Sequence, residues 1–445
     1  MPWALWARPV GRGKFKYHGR MHFLHLNNRY WPTWGGAESY VSELSVRLVA
    51  EGHAVTLLTT DALDYDLLWN PGRRRVSLLD ETHEGVRIKR FRVKHLPGSP
   101  AAYMGWRTGL RLASQSGVVP TAWLARLARY TPWVPDLWQW LDTTREPVDL
   151  VLGVAVLYEP LIMAGLKFAR QRGVPFVYCP LTHLGAGSRP GQDPTSRYYS
   201  MRHQLALARD SDAVLCMTAT ERDFLLARGV LEQRLHVIGA GVNPPEAIGG
   251  DADRFRRQHG LDNGPIVGFV STLMPDKGAA HLVEAVRRLW QAGHEVHLVL
   301  AGRPTALFDR YLATLPEADR RRICVLGYVS EAEKRDLLAA ADIFAMPSRT
   351  DSFGIVYLEA WLNHKPVIAA RAWGMADVVA EGEDGLLVPF GDVPALAEAL
   401  AWLLAHPEER ARMGARGAEK VYARHTWDRV YEQIRGVYSQ LLGHF

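Results

Sequence analysis

Ser348-Arg349-Thr350-Asp351-Ser352-Phe353-Gly354-Ile355-Val356-Tyr357-Leu358-Glu359 follows the short apolar segment Ala341-Asp342-Ile343-Phe344-Ala345-Met346-Pro347 and runs on into Ala360-Trp361-Leu362. A short apolar run bounded by Pro reads as a buried strand. The small and polar residues after it, with Gly354 and then a second apolar run, read as a loop entering a helix. In an open α/β sheet such a junction lies outside the carboxyl end of a strand, where ligands bind. Free backbone N–H groups at a helix start attract an anion such as a diphosphate. Two carboxylates flank that start, Asp351 before it and Glu359 inside the helix. Carboxylates accept hydrogen bonds and so suit hydroxyl-rich partners such as ribose and hexose. A phosphate seat beside two hydroxyl acceptors suggests a sugar nucleotide. The plain alternative is an ordinary βα junction with surface acids.

With 445 residues, 48% hydrophobic and 22% charged, the chain exceeds one core and reads as two globular domains. Its net charge of +6 suits an acidic lipid or a phosphate-bearing substrate. It carries no basic tail or nucleic-acid-binding motif, so a nucleic-acid partner is not expected. Cys179, Cys216 and Cys324 are far apart and form no C-x-x-C pair, which argues against a disulfide framework or a zinc site and fits a reducing cytoplasm. No segment has the eighteen or so uninterrupted apolar residues of a membrane span. Residues 1–20 lack an apolar signal core and read as an unstructured extension, with Met21 as the natural start.

Outward from the opening stretch, βα units repeat. Residues 21–26 read as a strand, the loop closes on Gly35-Gly36, a helix starts near Ala37, and the next strand is Ala54 to Thr60. Strands are also expected at 149–154, 176–179, 211–216 and 236–238. Gly239-Ala240-Gly241 and Gly249-Gly250 are helix-breaking and mark a flexible boundary. The alternation then restarts, with strands at 266–271, 296–301, 323–326, 341–347, 366–369 and 385–388. This predicts an α/β protein of two doubly wound, Rossmann-like domains facing across a cleft, over 21–245 and 246–425, with a terminal helix in 426–445. Between Val86 and Pro135 there is no Asp or Glu, while nine Lys and Arg interleave with Trp106, Trp123, Tyr130 and Trp133. Trp123, Leu127 and Tyr130 share a helical face. Such a helix either lies on an anionic membrane or packs its aromatic edge on the core.

The chain has neither a P-loop nor a G-x-G-x-x-G fingerprint, which excludes the usual NTPase and dehydrogenase readings. Asp351 and Glu359 bracket seven residues containing Phe353-Gly354. That spacing resembles the E-x7-E signature of the family-four retaining glycosyltransferases, which have the GT-B fold. Gly35-Gly36-Ala37-Glu38 resembles the family's amino-terminal glycine loop, Pro275-Asp276-Lys277-Gly278 its lysine loop, and Gly385-Leu386-Leu387-Val388-Pro389 the segment after the signature. The resemblance implies that Lys277 holds the donor diphosphate and that Phe353, Gly354 and Ile355 offer backbone N–H groups to phosphates and sugar. It implies that Asp351 bonds sugar hydroxyls, that Glu359 grips the ribose diol, and that Gly327, Tyr328 and Val329 meet the base through backbone. Gly35 and Gly36 would form the opposite wall, and His183 would stand near the donor sugar. The resemblance also implies that 21–245 is the N-terminal acceptor-side domain and 246–425 the nucleotide-sugar-binding domain, with the helix in 426–445 packing back on the first. Two positions depart from the pattern. Asp351 is one methylene shorter than the family's glutamate. Ser271-Thr272 replaces the usual Gly-Arg, leaving Arg303, Arg349 or Arg371 as candidate second cations.

The expected activity is transfer of a hexose from a UDP- or GDP-sugar to an acceptor hydroxyl on a glycan or lipid, with no metal or other cofactor. The expected location is the cytoplasm, at the inner face of the membrane. The alternatives are a GT-B sugar-nucleotide epimerase and a non-catalytic GT-B glycan-binding scaffold.

Overall fold

The computed structural model describes residues 19–33 and 35–443. Of the extension expected over residues 1–20, all but Gly19 and Arg20 lie outside the described residues, and those two are exposed.

Among the described residues, fourteen strands form two sheets. The first contains β1 (His22–Leu26), β2 (Ala54–Thr60), β3 (Asp80–His83), β4 (Val86–Phe91), β5 (Leu150–Val154), β6 (Phe176–Cys179), β7 (Ala213–Cys216) and β8 (Leu235–Val237). Its order is β3-β4-β2-β1-β5-β6-β7-β8, parallel throughout except for the antiparallel β3–β4 edge pair. The second contains β9 (Ile266–Val270), β10 (His297–Ala301), β11 (Ile323–Gly327), β12 (Ile343–Met346), β13 (Val367–Ala370) and β14 (Gly385–Val388), all parallel in the order β11-β10-β9-β12-β13-β14. Central strands such as β5 and β12 are buried at every position, as expected where helices cover both faces.

Strand order reverses between β1 and β5 in the first sheet and between β9 and β12 in the second. Loops leaving adjacent strands diverge there and open a crevice. The loop after β12 is the opening stretch, and the loop after β9 carries Lys277. Topology alone therefore brings the two most informative loops side by side.

The helix Ile355–Leu362 buries Tyr357, Leu358, Ala360, Trp361 and Leu362. Trp361 lies against Gly417 in the helix Pro407–Arg424, where a side chain would collide with its ring. Its indole N–H donates to the Asp384 carbonyl at 2.8 Å.

The chain crosses between the sheets twice, at 239–244 and 425–427. The two passes are bonded to each other: the Val242 N–H donates to the His425 carbonyl at 2.9 Å, and the Trp427 N–H to the Val242 carbonyl at 3.1 Å. The glycines of the expected flexible boundary are packed in this structure. Gly241 lies against Trp427 and Gly250 against the backbone of Arg335, so these glycines permit close packing of chain on chain. The helix Trp427–Leu442 then lies on the first sheet's helix Gly36–Ala50. Tyr438 stacks on Phe23 at 5.7 Å, and Trp427 meets Tyr40 edge-on at 5.3 Å.

The acid-free 86–135 region holds a strand and two helices. Val86–Phe91 is a strand, and the helices Ala101–Ser116 and Thr121–Ala128 follow. The second buries Thr121, Leu124 and Ala128, while Trp123 and Tyr130 are 56% and 40% exposed. The aromatic edge therefore does not face the core.

Candidate functional site

The loop after β12 and the loop after β9 are joined by charge. Lys277 Nζ donates to Asp351 Oδ1 at 2.7 Å, with the two side chains 16% and 20% exposed. Beside them Arg349 grips Asp276 Oδ1 through Nε and Nη2 at 2.9 and 2.6 Å, and the Arg349 N–H donates to the Asp276 carbonyl at 3.0 Å. Asp351 Oδ2 is buried and accepts nothing among the described residues. Burial pushes the Asp351 carboxyl up, but the Lys277 ammonium outweighs it and holds the group below the usual range. A charged, half-satisfied carboxylate next to an ammonium can accept from a sugar hydroxyl while the ammonium meets a phosphate.

Gly354 stands at the start of the helix Ile355–Leu362 with φ 83°, in the left-handed region that favours glycine. A side chain there would also strike the Tyr357 ring at 2.5 Å. No side chain caps this helix start, so the first amides after Gly354 remain available to an anion. Phe353, expected to lend only its backbone, buries its ring against the crossover and meets His425 edge-on at 5.3 Å.

Glu359 is held at the other end of the seat. Its Oε1 accepts from Lys334 Nζ at 2.8 Å. Burial raises the Glu359 carboxyl, and the Lys334 charge works against that rise. The loop Gly327-Tyr328-Val329 leads straight into the helix bearing Lys334. Gly327 has φ 71° with open space where its side chain would stand, and Tyr328 is 81% exposed. Of the three candidate second cations, Arg349 is committed to Asp276 and Arg371 to Glu381 at 2.9 Å. Arg303 is exposed and has no ion pair among the described residues, and its charge is felt across the cleft at Asp64.

The first sheet supplies a different wall. His183 follows β6 and stacks on Tyr199 at 4.4 Å. Burial, reinforced by the Lys277 charge and opposed by Asp351, lowers the His183 pKa to about 4, so the ring is neutral at pH 7. Its Nδ1 is buried without a partner among the described residues. His183 therefore lies within the electrostatic reach of the Lys277–Asp351 pair. Tyr65, Trp69 and Tyr158 continue the wall with ring centres 5.4–6.0 Å apart. Ala155, Tyr158 and Leu181, all just past strand ends, have positive φ of 72°, 63° and 52°. Such backbone strain in residues other than glycine concentrates at ligand sites. Gly35 and Gly36 open the helix Gly36–Ala50. A side chain on Gly35 would meet Glu38 Oε2 at 2.6 Å, while one on Gly36 would meet nothing. Glu38 itself pairs with Arg29 at 2.9 Å, whose guanidinium lies 4.7 Å over Tyr65.

Two clasps that sequence reasoning missed hold the walls together. Trp373, after β13, donates its indole N–H to the Gly187 carbonyl at 2.7 Å and its backbone N–H to the Gly185 carbonyl at 2.9 Å. Asp377 accepts from the Thr220 N–H at 2.6 Å and the Thr220 hydroxyl at 3.0 Å. Only the Trp-Gly pair after a strand could have signalled the first, and nothing in sequence marks the second. Lys334 and Tyr199 were also missed, because their partners are distant in the chain.

The family models match in two blocks: a glycosyl transferase 4-like domain over residues 35–241 and a glycosyl transferases group 1 domain over residues 251–420. The chain is 26% identical to alpha-D-kanosaminyltransferase of Streptomyces kanamyceticus over 65% of its own length and 75% of the relative's. It is 32% identical to D-inositol 3-phosphate glycosyltransferase of Xylanimonas cellulosilytica over 62% of its own length and 69% of the relative's. Among solved structures it superposes on sucrose-phosphate synthase from Thermosynechococcus elongatus with a TM-score of 0.72 at 21% identity, covering 95% of this chain and 100% of the other. Anabaena HepE in complex with UDP-glucose gives a TM-score of 0.69 at 21% identity, with the same coverage. Two doubly wound sheets, charged loops at one switch point and both family models lead to one conclusion: the chain belongs to the group 1, family-four-like glycosyltransferases of the GT-B fold.

Proposed function

We propose that this glycosyltransferase takes a hexose from a UDP- or GDP-sugar and transfers it, with retention of configuration, to a hydroxyl of a glycan or lipid-linked acceptor. The Lys277–Asp351 pair carries the reading, because it sets a cation and a hydroxyl acceptor together beside an uncapped helix start. The donor diphosphate would take Lys277 and the amides after Gly354, and the hexose hydroxyls would take Asp351. The ribose diol would lie on Glu359, and the base along Gly327–Val329. As the bond from the anomeric carbon to the diphosphate breaks, Lys277 and the helix start would stabilise the leaving oxygens, so the reading requires no metal. The departing phosphate would accept the acceptor's proton on the same face, leaving the protein to supply position and electrostatics. Neutral His183 would stand at the sugar as a hydrogen-bonding group rather than a cation.

No helix among the described residues is long and apolar enough to cross a membrane. A peripheral contact is supported by Met104, Trp106, Leu112, Val118, Trp123 and Tyr130, which are 36–83% exposed within an acid-free region. Apolar side chains among Arg and Lys suit an anionic bilayer surface and hence a lipid-borne acceptor. Flotation with phosphatidylglycerol vesicles at low salt is expected to carry the protein upward, and no flotation would remove this part of the reading.

The scaffold reading is favoured by one observation: two of the three candidate second cations are already paired with acids. Thermal-shift measurements with UDP-, GDP- and ADP-sugars decide between them. Stabilisation by one nucleotide class, together with sugar transfer to an added acceptor, is the expected outcome. No shift with any donor would favour the scaffold.

A further inference from the structure

The fold itself gives no reason for a lysine at position 334. Lys334 stands in the opening turns of the helix Glu331–Ala340, which Ser330 caps by accepting from the Glu333 N–H at 3.2 Å. The positive end of the helix dipole disfavours a cation there, whereas Glu331 and Glu333 suit it. The side chain is only 16% exposed, so desolvation and lost rotamer freedom both count against it. It nevertheless leaves its own helix to meet Glu359 Oε1 at 2.8 Å, and it holds Glu331 Oε2 at 2.8 Å as well. Glu359 is 14% exposed on the neighbouring helix and accepts no hydrogen bond on Oε2 among the described residues. Glu331, on the helix of Lys334, and Glu246, in the helix Pro244–Ala247, add like charge. A carboxylate so placed would be poorly held and poorly ionised without a cation. Lys334 supplies one on a single oxygen and leaves the other free.

We propose that Lys334 is a positioning residue of the nucleotide seat: it clamps Glu359 Oε1 and so presents Oε2, ionised, to the ribose diol of the donor. The inference rests on the reading of Glu359 as the ribose acceptor, and it adds the residue through which that acceptor works. Burial lowers the Lys334 pKa, but Glu359 and Glu331 more than reverse this, so the clamp stays charged across the neutral range.

The test compares UDP and GDP with their 2′,3′-dideoxy analogues by calorimetry on the full chain. The wild type is expected to bind whichever ribonucleotide it accepts roughly tenfold or more tighter than the dideoxy form, as for a hydrogen bond to a charged group. Lys334→Met is expected to shrink that ratio to about twofold by loosening ribonucleotide binding alone, and Lys334→Arg to restore it. The pair Lys334→Met with Glu359→Gln should bind no more weakly than Glu359→Gln. If Lys334→Met does not fold, Lys334→Gln is read on the same ratio. A Lys334 variant that keeps the wild-type ratio overturns this proposal and leaves the ribose reading standing. A wild type that does not distinguish ribose from dideoxyribose, or binds neither diphosphate, overturns both.

Discussion

The two switch points are built from different chemistry. At β9 and β12 the loops are stitched by the ion pairs Lys277–Asp351 and Arg349–Asp276, and the helices beside them by Lys334–Glu359, all partly open to solvent. At β1, β5 and β6 the wall is mainly aromatic, with neutral His183 on Tyr199 and a Tyr65–Trp69–Tyr158 cluster over which the paired Arg29–Glu38 lies. Its main charged group, Arg107–Glu159–His203, is fully sequestered, with Arg107 Nη1 and His203 Nε2 on Glu159 Oε1 at 2.8 and 2.7 Å. Open pairs can exchange partners with a ligand, whereas a sequestered one can only hold the fold. The C-terminal half therefore offers fixed charge to an anionic ligand, and the N-terminal half offers shape and a dry surface.

The comparison can be broken first at the sequestered group. Glu159→Ala leaves the buried Arg107 guanidinium unpaired, and denaturant unfolding should show a loss of about 3–5 kcal/mol. A loss under about 1 kcal/mol would mean the cluster is not structural. The open pair should behave in the opposite way. Lys277→Met is expected to lower kcat/KM by about 10²–10³-fold with the melting temperature nearly unchanged, as for removal of one preorganised transition-state donor. Unfolding with intact residual activity would reverse the assignment of roles.

Acid acts through buried histidines in both halves. Burial first, then the Lys277 charge, lowers His183 to about 4; burial likewise lowers His425 to about 4. With the unfolded value near 6.5, the unfolded chain binds the extra proton first. The stability these neutral rings contribute is full above about pH 6.5 and is lost as pH falls toward 4. At pH 5 each should cost about 1–2 kcal/mol, so His183→Asn should flatten the stability profile between pH 6.5 and 5. Glu359 and Glu221, raised by burial, shift the opposite way, which makes the difference between wild type and variant the quantity to measure. The smallest effect belongs to the clasp between the halves. Trp373→Phe removes the bond to the Gly187 carbonyl and should cost about 0.5–1.5 kcal/mol, seen as a small fall in melting temperature.

Much of this architecture can be read from residue order. The helices Pro160–Arg172 and Trp427–Leu442 and the strands Ala54–Thr60 and Gly385–Val388 sit where apolar periodicity, proline and glycine set them. Between Val86 and Pro135, aromatic spacing marked one helical face over Trp123, Leu127 and Tyr130. The helix Thr121–Ala128 buries Leu124 and Ala128 instead and leaves Trp123 outside. Aromatic spacing signals an amphipathic helix but not which side the rest of the fold will cover.

At the site, sequence alone determined the types of groups: an acid before a helix start, a glycine at its cap, an acid inside it and a lysine in the adjacent loop. Local conformation and side-chain chemistry are short-range properties, so they survive without the fold. The partners were decided only by tertiary structure. Lys277 meets Asp351 across 74 residues, Lys334 meets Glu359 across 25, and Trp373 reaches Gly187 across 186. Charge pairing depends on distance in space, and here parallel strand order sets that distance. The same order left Arg349 and Arg371 occupied, and Arg303 without an ion pair among the described residues at the edge of the cleft.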